Sequence, residues 1–294
     1  MRSPLRPGAL LAAAFLAMSL FALSACGKKT TKAAVKPSAL SLSLDPAGKA
    51  AKYTVPATAK GGLVELTFKN NVGGGAPHAA QLIRILGSHT PQEALKIIAS
   101  NSNKTPAWLR AEGGVGSVAP MTAGTATLDL PAGKYVVADL GGPSSGPPAY
   151  ATFTVTAGPT GPVPPAPTTV KAAQTAKDKF AWQLSGSPLK AGANAVTFDS
   201  GGKLALHFVG LFKVKGNPSM AAIIKGLKSN GPPPPFVDQS SFFNTAVLDG
   251  GKAENTQLVA RSGPGTYVLF CPLTDRDGGK PHFEEGLLKT VTVK

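Results

Sequence analysis

The sequence predicts a mostly β protein: two tandem β-sandwich domains, each with a short inserted helix. Three observations lead there. Gly (34) and Pro (27) together exceed a fifth of the 294 residues, a composition of many turns and short strands. Charged residues make up only 15%, too few for a long helical or coiled-coil chain, while 43% hydrophobic residues suffice for real cores. The chain also repeats, its second half following the pattern of its first across a Pro-rich stretch.

Residues 1–25 read as an export address. Arg2 and Arg6 precede the apolar run from Ala9 to Ala22, which is too short for a membrane span and ends in small residues. Leu23-Ser24-Ala25-Cys26 resembles a bacterial lipobox, which implies that Cys26 is lipidated and anchors the chain to the cell membrane, facing outside the cytoplasm. Residues 26–41 are small, polar and basic, the composition of a flexible tether. There Lys28, Lys29, Lys32 and Lys36 would face anionic lipid or wall polymer. The formal charge of +15 includes no dense Lys/Arg run, so nucleic acid is not an expected partner. With Cys26 lipidated, Cys271 is a lone thiol in an oxidising compartment; it is either buried and inert or it has a ligand.

Residues 42–156 form the first expected domain. Val64, Leu66 and Phe68 alternate along a strand, and His78 follows. Thr90-Pro91-Gln92-Glu93 is a capping box with Pro at the first helical position, ahead of Ala94, Leu95 and Ile98. Gly133-Lys134-Tyr135 then opens an apolar strand. Residues 157–176, with the run Pro162-Val163-Pro164-Pro165-Ala166-Pro167, read as a semi-rigid linker.

Residues 177–294 repeat these features. Ala195-Val196-Thr197-Phe198 leads to His207 on the strand 203–208, and each histidine, His78 and His207, has a leucine at +4 and a glycine at +9. Asn217-Pro218 precedes Met220, Ile223, Ile224 and Leu227, an apolar helical stripe. Gly265-Thr266-Tyr267 opens the counterpart of the strand at Gly133, and that strand ends at Cys271. Ten residues then separate Cys271 from His282, and the last strand begins after Leu287.

The run Gly265-x-Tyr267-x-x-x-Cys271, a loop, His282 and Gly286-Leu287 resembles the cupredoxins, the plastocyanin/azurin-like blue copper superfamily. The resemblance implies a Greek-key sandwich in both halves. It also implies one copper, held in the second half by His207, Cys271 and His282. A thiolate with two imidazoles suits copper in both oxidation states. Leu287 stands at the axial position, where the family usually has Met in a Gly-Met pair; being non-coordinating, it would raise the reduction potential. Phe208, Tyr267, Phe270 and Phe283 would shield the thiolate. Zinc with the same residues lacks a fourth ligand.

In the first half Asp139 aligns with Cys271 and no histidine follows, so His78 reads as isolated and His89 as surface or capping. Trp108 and Trp182 read as core or half-buried, and Gly231 to Phe236 as an extended loop. Glu284 and Glu285 read as solvated or as steering a partner. Four histidines exclude a multicopper oxidase, and no nucleophile elbow, P-loop or helical metal-binding His pair is present. Nitrite reduction would need a further all-histidine copper centre. The expected function is therefore non-enzymatic: an extracytoplasmic copper lipoprotein for electron transfer or copper handling, with a redox or copper-donor protein as partner. The alternative is a metal-free binding or scaffolding lipoprotein of the cell envelope with a vestigial site.

Overall fold

The computed structural model describes residues 35–294 except 49, 101, 142–147, 204 and 230. The export address, Cys26 and most of the expected tether lie outside the described residues. The first half contains β1 (Ser38–Ala47), β2 (Ala50–Thr54), β3 (Thr58–Lys60), β4 (Gly62–Asn70), β5 (His78–Ile85), α1 (Pro91–Ala99), β6 (Leu109–Val118), β7 (Thr122–Leu130), β8 (Gly133–Ala138) and β9 (Tyr150–Thr156). The second contains β10 (Thr168–Ala176), β11 (Lys179–Gly186), β12 (Gly192–Ser200), β13 (Leu206–His207), β14 (Gly210–Val214) and α2 (Met220–Leu227). It continues with β15 (Val237–Asn244), β16 (Leu248–Asp249), β17 (Lys252–Ala260), β18 (Gly265–Phe270) and β19 (Leu288–Val293). No helix among the described residues is long and apolar enough to cross a membrane.

Each half is a two-sheet sandwich, and the two are built alike. The first strand of each pairs antiparallel with its neighbour (β1 with β2, β10 with β11) and parallel with a longer strand (β1 with β4, β10 with β12). The facing sheets run β6-β5-β8-β9 and β15-β14-β18-β19. Alternation explains the cores. Val64, Leu66 and Phe68 on β4 point inward onto Leu82 and Tyr135, and Val196 and Phe198 on β12 onto Leu211 and Tyr267. Tyr135 donates its hydroxyl to the Pro131 carbonyl and Tyr267 to the Gly263 carbonyl, both at 2.8 Å and four residues back. The same tyrosine corner thus closes both sandwiches.

The helices lie outside the sandwiches on small clusters of their own. Thr90 caps α1, the Glu93 N–H donating to its hydroxyl at 3.2 Å and the Glu93 carboxylate accepting the Thr90 N–H at 2.6 Å. Ser219 caps α2, and Ile223 is the residue that α2 buries, against Phe212, Val268 and Phe270.

The first sandwich ends with β9 at Thr156, as expected, but both sandwiches start earlier than expected. β1 begins at Ser38, inside the stretch read as tether, because Leu40, Leu42 and Leu44 already alternate inward. β10 begins at Thr168, inside the expected linker: Val170 and Ala172 are fully buried, and the surrounding Thr and Ala masked that alternation. The connector is residues 157–167, and it is tied down. The Leu63 N–H donates to the Pro159 carbonyl (2.9 Å), and the Ala166 N–H to the Thr197 hydroxyl (2.9 Å).

The sandwiches are joined through their sheets. β17 pairs with β7 at Glu254↔Leu128 and Asn255↔Thr127, and β16 pairs with β6 at Leu248↔Glu112. Polar groups finish the junction. Gln81 donates to the Val247 carbonyl (3.0 Å) and accepts the Val247 N–H (2.6 Å), and Ser117 donates to Asn244 Oδ1 (2.6 Å). Arg110 pairs with Asp249 at 2.5 Å.

Candidate metal centre

His207, Cys271 and His282 meet inside the second sandwich. Their ligand atoms all lie within 4.8 Å of one another, and all three residues are fully buried. His207 comes from the short strand β13, held by its pairing with Leu248 on β16. Cys271 follows β18, and His282 sits on the loop back to β19. That loop is closed by its own backbone. The His282 N–H donates to the Leu273 carbonyl (2.8 Å), the Phe283 N–H to Cys271 (2.8 Å), and the Cys271 N–H to Leu287 (3.1 Å). Gly286, at φ 116°, passes so close to the Phe180 carbonyl that any Cβ would collide with it.

His282 turns Nδ1 toward Cys271 Sγ at 3.7 Å and sets Nε2 against Asp275 Oδ1 at 3.2 Å. The two imidazole rings stand 4.5 Å apart between centroids. Neither ring nitrogen of His207 has a hydrogen-bond partner among the described residues. Burial pushes the Cys271 thiol up to about 12, opposed by the backbone N–H groups of Phe208 and Leu273. Burial, followed by the neighbouring His282, drives His207 down to about 3. His282 is also lowered by burial, while Asp275 pulls the other way. Both imidazoles are therefore neutral near pH 7, the form that ligates a metal.

This donor set fits copper. A buried imidazole with both nitrogens unpartnered costs roughly 1–3 kcal/mol per unmet group, and coordination through one nitrogen would remove that nitrogen's share. One sulfur and two nitrogens from stiff strands and a closed loop are the soft trigonal set that copper favours. Leu287 is fully buried in the same apolar cluster as Cys271 and offers no donor atom.

The surroundings differ in part from expectation. Tyr267 shares the core cluster with Cys271, but Phe270 and Phe283 pack in the cluster beneath α2. The ring against the imidazoles is Phe180, at 5.0 Å from His207 and 4.8 Å from His282. The sequence pattern does not mark Phe180 or Asp275 as site residues. A carboxylate in the Cys-to-His loop was the available signal for Asp275; Phe180 carried none, lying far away in sequence.

In the first domain His78 is not isolated. Its Nδ1 pairs with Asp139 at 2.6 Å, and Asp139 also accepts the Ala79 N–H (2.9 Å) and the Gly141 N–H (3.2 Å). These are the residues at the positions of His207 and Cys271, closed here by a hydrogen bond between the two side chains. His89 stacks on half-buried Trp108 with centroids 4.0 Å apart, next to the α1 cap, and Trp182 is buried in the second core. Glu284 pairs with Lys228 at 2.7 Å.

The tandem sandwiches and the His–Cys–His cluster define the class at the level of architecture: a cupredoxin-like fold. No family model matches the chain, and no curated protein matches it. Among solved structures it is similar to auracyanin from the photosynthetic bacterium Roseiflexus castenholzii, at 25% identity over 44% of this chain and 98% of that one, with a TM-score of 0.29. Auracyanin B is similar at 24% identity over 43% and 88% of the two chains, with a TM-score of 0.28. The copper nitrite reductase of Nitrosomonas europaea covers more of this chain, 88% against 94% of its own, at 13% identity and a TM-score of 0.25.

Proposed function

We propose that this chain is a lipid-anchored, extracytoplasmic cupredoxin-like protein that holds one copper ion through His207, Cys271 and His282 and serves as an electron carrier. The observation that carries the reading is the buried trio itself, with both His207 nitrogens unpartnered among the described residues and the buried Cys271 thiol beside them. Bound copper would supply one-electron chemistry between its two common oxidation states. The chain's own residues keep the ligands nearly fixed: β13 and β18 seat His207 and Cys271, and the closed loop seats His282. Full burial favours carrying electrons over delivering metal, because releasing copper would require opening the loop. Phe180 and the apolar core exclude water from the thiol. Leu287, buried in the same cluster as Cys271 and offering no donor atom, would favour a high potential. The lipobox-like Leu23-Ser24-Ala25-Cys26 supports the membrane anchor, and a redox protein outside the cytoplasm would be the partner.

Adding Cu(II) to the purified full chain carrying Cys26→Ser tests this. One copper per chain and an intense visible charge-transfer band are expected, and Cys271→Ser abolishes the band. If the chain takes up no stoichiometric copper, the metal-free scaffolding alternative replaces this reading.

A further inference from the structure

The loop between Cys271 and His282 belongs to the second domain but is gripped by the first. Arg276 is buried and donates through Nη1 to the carbonyls of Pro106 and Leu109, both at 2.9 Å, and through Nη2 to Asp249. The Thr105 N–H donates to the Arg276 carbonyl at 2.8 Å, and the Thr274 hydroxyl to the Asn103 carbonyl at 2.8 Å. Between these two anchors sits Asp275, whose carboxylate meets His282 Nε2 at 3.2 Å. Three consecutive residues thus connect the first domain to a ligand in the second.

We infer that the first domain positions His282, with Arg276 as the anchor and Asp275 as the arm. A carboxylate on Nε2 fixes the tautomer that carries its proton there and leaves the Nδ1 lone pair aimed at the cluster. Arg276 suits the anchor because its rigid fork of donors is matched by carbonyls and a carboxylate at once. None of its partners is a ligand, so it acts on the site only through the loop and is a positioning residue. For copper as the bound group the inference rests on the proposed function; for the geometry of His282 and the shielding of Cys271 it does not.

The test uses the full chain with Cys26→Ser, which leaves Cys271 as the only thiol. Arg276→Met removes the anchor. Thr274→Val is a milder cut at the edge of the same grip and decides the matter if Arg276→Met does not fold. Gln81→Leu is the control, breaking the bonds to Val247 at the domain junction without touching the loop. Without metal, Arg276→Met should speed alkylation of Cys271 about tenfold, as loss of local hydrogen bonds lowers the opening free energy. It should also mix the His282 tautomers seen by nitrogen-15 NMR. Thr274→Val should shift both readouts in the same direction by less, and Gln81→Leu should leave them unchanged. With Cu(II), the visible band should move in the two loop variants and not in the control. Wild-type alkylation and tautomer in both loop variants would overturn the inference, as would equal changes in Gln81→Leu. Failure of the wild type to take up copper would sink the copper reading alone, since the metal-free readouts still decide the clamp.

Discussion

Glu254 lies at the junction between the sandwiches, fully buried on β17 opposite Leu128 of β7. One carboxyl oxygen accepts the Gly114 N–H at 2.9 Å, and the other has no partner among the described residues. Burial therefore raises its pKa from 4.5 to about 8, so it is folded as the neutral acid. In the unfolded chain it ionises near 4.5. An acid raised on folding contributes stability that is complete below the unfolded value and is lost as pH rises through the folded one. Glu254→Gln keeps the shape and the bond to Gly114 but cannot ionise. Relative to this variant, the wild type should lose roughly 1 kcal/mol of stability per pH unit between about 5 and 8. For a chain of this size that is roughly 3 °C of melting temperature per pH unit. The assay is thermal unfolding of both proteins across that range, read as their difference. The comparison cancels His207, which is lowered on folding and so destabilises at acid pH in both proteins. A difference that stays flat with pH, or one that grows in the opposite sense, would refute the reasoning.

Leu287→Met should lower the potential of the copper-loaded protein by roughly 60 mV, about tenfold in a one-electron equilibrium, by supplying a weak axial donor; an unchanged potential in voltammetry would show that Leu287 is not axial. Tyr135→Phe should cost about 1 kcal/mol in denaturant unfolding, the loss of its hydroxyl-to-carbonyl bond. Tyr267→Phe should cost more, because its hydroxyl also accepts the Ser262 N–H at 3.2 Å; a smaller cost than for Tyr135→Phe would refute this. Thr90→Ala removes both bonds of the α1 capping box that use its hydroxyl and should cost about 1 kcal/mol by the same measurement.

Residues that act through local pattern were legible in the sequence. The Thr90 cap, the Gly-x-Tyr strands and the spacing from Cys271 to His282 each depend on neighbours within a dozen positions. The cap and the two strands stand where the pattern placed them. The start of each sandwich is hard to read because Ala, Ser and Thr carry a strand's alternation weakly; only Leu40, Leu42 and Leu44, and Val170 and Ala172, mark the buried face. What the sequence hid is long-range. Nothing near Phe180 announces that it meets His207 and His282, and Arg276 reads as one more loop charge until the carbonyls of Pro106 and Leu109 surround it. The junction of the sheets at Glu254 and Leu248 was equally out of reach, since a strand's sequence does not name its edge partner.

The two halves offer an internal control on the metal centre. They share strand order, tyrosine corner and the position of the first histidine, yet they settle the next position differently. Asp139 is a strong acceptor, so it captures His78 and two backbone N–H groups, and the position is satisfied by protein alone. Cys271 is a weak donor and a weak acceptor; its Sγ lies 3.7 Å from His282 Nδ1 and 3.9 Å from the Leu206 carbonyl. It does not satisfy His207, whose two nitrogens have no partner among the described residues in a fully buried site. The fold does not require that cost, because its other copy avoids it with one carboxylate. A buried histidine kept without partners, next to a thiol and a second histidine, makes physical sense when a soft metal ion completes the set.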